Sequence, residues 1–120
     1  MTIETQTPED VTNENIIALY KAGRRDFQMA DLSGADLSGA DLSGADLNQS
    51  CLRYVNFSGA NLSNADISQS DLHYAILRDA DLRNADLTET DLTTARFAGS
   101  DLTGARITIG DVPRKIGART

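Results

Sequence analysis

The sequence predicts an all-β fold in which the chain winds repeatedly around one axis and fills the enclosed tube with its own side chains. Three regularities carry that prediction. Every fifth residue from Phe27 to Ile107 is bulky and apolar. Two places before almost every one of them stands a small residue, usually Ala. Uncommon residues then recur at a separation of twenty, as Tyr54 with Tyr74, Arg53 with His73, Asn64 with Asn84 and Gln49 with Gln69.

The apolar series is Phe27, Leu32, Leu37, Leu42, Leu47, Leu52, Phe57, Leu62, Ile67, Leu72, Leu77, Leu82, Leu87, Leu92, Phe97, Leu102 and Ile107. A period of five suits neither regular element. On an α-helix five residues advance about 500°, roughly 140° net, so the leucines would spread around the whole circumference. On a flat strand an odd step sends every second leucine to the opposite face. Short fixed repeats instead signal a stacked architecture, in which no unit can bury its apolar residues alone.

Within one unit the order is small, polar, large, polar, polar. That reads as a short extended piece whose first and third side chains point inward, followed by a polar pair where the chain turns. Gly34, Gly39, Gly44, Gly59, Gly99 and Gly104 occupy the last place, where a tight corner favours glycine. Each unit is then one side and one corner of a tube. With four sides, residues that recur at twenty stack directly, about 4.8 Å apart.

The residues also carry a family resemblance. The run DLSGADLSGADLSGADL, continued by GANLSNADI, DADLRNADL and TARFAGSDLTGARI, resembles the pentapeptide-repeat proteins, whose consensus is Ala-Asp/Asn-Leu-x-x. The match covers residues 26 to 109. The resemblance implies a right-handed quadrilateral parallel β-helix of about four coils, with the central Leu or Phe and the preceding small residue facing in. Cys51, Ile76, Arg96 and Arg106 depart from Asp/Asn, and Val55 from the small residue. These departures mark places where the outside is not generic.

Four segments follow along the chain. Residues 1–11 are polar and are expected to be a flexible tail. Residues 12–24 are expected to form a capping α-helix: Thr12 or Asn13 can cap it, Ile16, Ile17, Leu19 and Tyr20 give it an apolar face, and Gly23 suits its stop. This helix is expected to lie as a lid over the first coil, because an open coil exposes unpaired backbone. Residues 25–109 form the β-helix. After Ile107 the pattern dissolves into a basic stretch, 110–120, which either covers the last coil or leaves it to stack on a second copy. The resemblance allows such a C-terminal homodimer as well as a monomer.

A chain of 120 residues with few aromatics suits a narrow tube filled by Leu and Ala better than a wide globular core. One cysteine excludes an intramolecular disulfide framework, and nothing at the start reads as a signal peptide or membrane span. A cytoplasmic protein is the expectation. Catalysis requires convergent groups, whereas acids five apart point out of different walls. The single His and single Cys, His73 and Cys51, are too few nitrogen and sulfur ligands for zinc. The expected protein is therefore not an enzyme and carries no cofactor or metal.

Charge is arranged by wall. From Asp26 to Ile107 five arginines stand against thirteen acids, a net −8, within a chain whose total is −7. One wall carries Asp26, Asp46, Asp66 and Asp86, and another Asp41, Asn61, Asp81 and Asp101. The wall of Asp36, Asn56, Ile76 and Arg96 is much less acidic. Such a surface repels phosphate, so direct nucleic-acid binding is not expected. Cys51, Arg53, Tyr54, Asp71, His73 and Tyr74 share one wall on successive coils, and exposed aromatics beside Arg are typical interaction anchors. The competing view is that Tyr54 and Tyr74 cover backbone. The expected role is a protein–protein interaction scaffold with a protein partner. Two alternatives remain: a DNA-mimic modulator of gyrase, which the resemblance implies for some members, and a purely structural module whose Asp and Asn serve turns and solubility.

Overall fold

The computed structural model describes residues 8–108. Regular elements are few: a 3-10 turn at Pro8–Asp10, helix α1 at Ile16–Lys21, and two short strands, β1 at Asp86–Leu87 and β2 at Arg106–Ile107. The strands pair in parallel, Asp86 with Arg106 and Leu87 with Ile107. Elsewhere the ladder consists of single parallel bridges, every one joining residues twenty apart, from Asp26 with Asp46 to Asp81 with Asp101. One turn of the coil therefore takes four five-residue units. Each side runs only two or three extended residues before its corner, which is why the sheet registers as bridges and hardly at all as strands.

The bonding of one unit repeats along the chain. Leu32 N–H donates to the Cys51 carbonyl at 2.9 Å, Gly34 N–H to Arg53 at 2.8 Å, and Cys51 N–H back to Ala30 at 2.9 Å. The corner closes when Ala35 N–H donates to the Leu32 carbonyl at 3.0 Å. Its third residue takes a positive φ, as in a type II turn. Six glycines and nine other residues adopt it at the corners: Met29, Gln49, Tyr54, Asn64, Gln69, Tyr74, Asp79, Asn84 and Glu89, with φ of 59–61°. The outward Asp or Asn braces the same turn. Asp31 Oδ1, for example, accepts both the Ser33 N–H at 3.1 Å and its hydroxyl at 2.7 Å.

Thr94 is the one corner residue between Met29 and Gly104 outside the positive-φ set. A branched β-carbon disfavours that conformation. The consequence is a local break: among the described residues no bridge joins Asp71 to Asp91, and Tyr74 N–H donates to the Thr94 hydroxyl at 2.9 Å.

Inside, the apolar column from Phe27 to Phe97 is fully buried, together with Val55 and the alanines before it except Ala40, which is half-buried. Ser50, Ser70 and Thr90 occupy the small-residue place and satisfy their hydroxyls on backbone: Ser70 donates to the Leu47 carbonyl and Thr90 to Leu87, both at 2.7 Å. Leu102 and Ile107 depart from the expected column in being only half-buried. They lie on the last described coil, with no further coil above them among the described residues.

The N-terminal segment differs in detail from expectation. Residues 8–11, assigned to a flexible tail, form a turn and bury Val11. Asn15 is the N-cap of α1 and makes no side-chain cap bond to it. Thr12 acts one turn earlier: its hydroxyl accepts the Asn15 N–H at 3.1 Å while Asn15 Oδ1 accepts the Thr12 N–H at 2.7 Å. Gly23, with φ of 109°, ends the helix in a Schellman motif, Arg24 N–H donating to Leu19 and Gly23 N–H to Tyr20. Ile16 is fully buried, and the Tyr20 hydroxyl donates to the Ser43 carbonyl at 2.6 Å. The Arg25 guanidinium lies 3.7 Å from the Tyr20 ring centroid. The expectations for residues 1–7 and 110–120, including C-terminal pairing of two chains, lie outside the described residues. No helix among the described residues is long and apolar enough to cross a membrane.

Candidate interaction surface

The coil brings all six residues of the expected patch together. Cys51 and Asp71 are directly bridged, so Arg53 lies over His73 and Tyr54 over Tyr74. The two tyrosine rings stack with centroids 5.1 Å apart and planes 12° from parallel. They are 61% and 51% exposed, which makes them, with Met29, the large apolar residues most open to solvent among the described residues. Both occupy left-handed corners, a conformation that costs a bulky L-residue about 1–2 kcal/mol relative to an ordinary one. Glycine or asparagine would fill those corners at less cost.

Beside the tyrosines runs a charged chain. Asp71 receives the Arg53 guanidinium on Oδ2, and on Oδ1 both the His73 backbone N–H at 3.1 Å and the His73 ring Nδ1 at 2.6 Å. Burial pushes the Asp71 carboxyl up, but the bonds from His73 and Arg53 outweigh it and hold the group down at about 2. His73 Nε2 lies 3.5 Å from Asp91 Oδ2, so the imidazole spans the two carboxylates at the level where the backbone ladder is interrupted. Cys51 Sγ lies 2.9 Å from the Ser33 hydroxyl, which is itself bonded to Asp31. Among the described residues no hydrogen bond joins Cys51 to His73, and no group of three or more His, Cys, Asp and Glu is placed to hold a metal ion.

The acidic wall is also continuous, with Asp26, Asp46, Asp66 and Asp86 bridged in series. It ends on a cation: Arg106 pairs with Asp86 at 2.9 Å. On the next acidic wall Arg83 makes a two-bonded pair with Asp81. Sequence reasoning missed Arg78. Counting in twenties places it after Ser38 and Ser58, on the wall of Ile76 and Arg96, so the signal was there in the register.

A family profile described as Pentapeptide repeats matches the chain in eight copies over residues 40–79 and 75–108. Among solved structures, alr5209, a pentapeptide repeat protein from Nostoc PCC 7120, is 33% identical over 86% of this chain and all of its own, with a TM-score of 0.44. HetL, a pentapeptide repeat protein involved in heterocyst differentiation regulation from Nostoc sp. PCC 7120, is 41% identical over 75% of this chain and 44% of its own, with a TM-score of 0.35. A trypsin-treated form of QnrB1, a plasmid-mediated fluoroquinolone resistance protein, is 22% identical over 67% of this chain and 47% of its own, with a TM-score of 0.48. Comparison with curated proteins gives no match.

Proposed function

The chain belongs to the pentapeptide-repeat family, and we propose that it is a non-catalytic scaffold whose Tyr54–Tyr74 corner, with Arg53, His73 and the Asp71 that holds them, anchors a protein partner. One observation carries this reading: two bulky aromatic residues stand in strained left-handed corners, stacked and half or more exposed. Seven other non-glycine corners share the left-handed backbone, so what singles these two out is the exposed, stacked aromatic pair. Tyrosine offers a large contact area with little side-chain entropy to lose, and Arg beside it is the usual companion at interaction hot spots. The tube supplies a rigid base, with α1 as the lid of its first coil.

Two other readings have less behind them. A gyrase-directed DNA mimic calls for an acidic face, and here Arg106 and Arg83 neutralise two of the acids on such faces. A purely structural module explains the Asp–Ser turns and the stacking of Tyr54 on Tyr74, but not why both rings stay half or more exposed. The test is the double variant Tyr54→Ser/Tyr74→Ser. Removing two exposed side chains from strained corners should change stability by less than about 1 kcal/mol, while proteins captured from the native host by the parent chain should be lost. Unchanged capture, or a large drop in melting temperature, would return the tyrosines to a stacking role.

A further inference from the structure

We infer that the wall beyond the tyrosine corner, bearing Ile76, Arg78 and Arg96, receives an extended acidic segment of the protein partner. This rests on the scaffold reading above and names the chemistry of the ligand. Three observations support it. Where the neighbouring units put Asp or Asn outward, this wall has Ile76 and Arg96, bridged to each other on adjacent coils. Arg78 and Arg96 are exposed, and among the described residues neither makes an ion pair or a side-chain hydrogen bond, whereas Arg53, Arg83 and Arg106 each hold an aspartate. Two unengaged guanidinium groups make this the wall of the coil where an anion meets least repulsion, with Asp79 beside Arg78 as its one exposed acid among residues 76–79 and 96–99.

Geometry narrows the ligand. One coil step and two residues along a side separate the Arg78 and Arg96 backbones by about 8 Å. Alternate side chains of an extended peptide project on one face about 6.8 Å apart, so two carboxylates two residues apart can reach both guanidinium groups. Half-buried Ile76 and the stacked tyrosine pair at the edge give the methylene stems of those acidic side chains an apolar floor, while the intervening side chains face away from the wall. The acidic walls on the other sides repel the same peptide and fix where it lies. A nucleic acid is disfavoured, since its continuous phosphate row would extend beyond this wall onto the aspartates.

The experiment titrates the isotope-labelled full chain with a ten-residue peptide of alternating Glu and Val, at low salt, and follows backbone amide resonances. Shifts should cluster at Tyr54, Tyr74, Ile76, Arg78 and Arg96. Affinity should fall roughly tenfold in Arg78→Glu/Arg96→Glu, as loss and reversal of two partly screened contacts predicts, and should hold in Arg83→Glu. The matching Lys–Val peptide should leave this wall unshifted. No binding, shifts centred on another wall, an equal loss in Arg83→Glu, or displacement of the peptide by a duplex DNA oligonucleotide would overturn the assignment. If it fails while Tyr54→Ser/Tyr74→Ser still loses its captured proteins, the scaffold reading stands and only the acidic ligand is wrong.

Discussion

At the scale of the residue, two positions of the unit do separate jobs. The central Leu is removed from water on all sides: Leu72 is fully buried, and its column neighbours Leu52 and Leu92 are equally so. Truncating it should cost about 2–5 kcal/mol, transfer and cavity together. Thr88 faces out, and its hydroxyl bonds only to Asp86 at 2.7 Å. Thr88→Ala should therefore cost less than about 1 kcal/mol. Thermal melts of the two variants check this, and equal losses would reverse inside and outside. The outward aspartates add a dependence on pH. Bonds from the Ser, Thr, Arg or His two places on hold Asp31, Asp36, Asp41, Asp71, Asp81, Asp91 and Asp101 below their usual range. The fold thus favours the ionised form. Its stabilisation is complete above the unfolded value of 3.8 and disappears as pH falls towards about 2, the folded value for Asp71. Melting temperature should be flat above about pH 5 and drop steeply below about pH 4. Asp71→Asn should remove part of that drop, on the order of 1 kcal/mol after solvent screening.

At the scale of the element, the corner decides how well coils join. Glycine, and more weakly Asn64, Asp79 and Asn84, signal a positive φ in the sequence, whereas the six corners at Met, Gln, Tyr and Glu were not legible from residue type. Their conformation is imposed by the turn and the ladder, which override the local preference of Met, Gln, Tyr and Glu. Thr94 marks where that override stops. Amides that would bridge Asp71 and Asp91 lack the partners that Leu52 and Asp71 have one coil earlier. Hydrogen exchange should therefore be faster at Leu72 and Asp91 than at Leu52 and Asp71. Uniform protection across both levels would mean that the ladder is closed in solution. Helix α1 shows the same limit of sequence reading. Its apolar face and its stop at Gly23 were evident, but its start was not, because Thr12 and Asn15 bond each other in a preceding turn and the helix proper begins at Ile16.

At the scale of the whole molecule, a strict register turns one dimension into four walls. Once the period is twenty, a residue's number tells which wall it faces and what stacks on it, which is why the patch and the acidic wall could be assembled from sequence. What periodicity does not say is where the stack ends, and Leu102 and Ile107, inward by register, are half-buried on the last described coil. Nor does it distinguish a free arginine from an engaged one. Arg78 and Arg83 are alike in the repeat, and only the neighbouring Asp81, two places before Arg83, separates them. The stacking at twenty is the premise of the tyrosine pair, the arginine wall and the buried column alike. A nuclear Overhauser spectrum of the labelled chain tests it directly: proton contacts should join residues twenty apart on all four walls, the Tyr54 and Tyr74 rings among them. Contacts dominated by separations of three and four through the repeats, or by any other fixed interval, would contradict it.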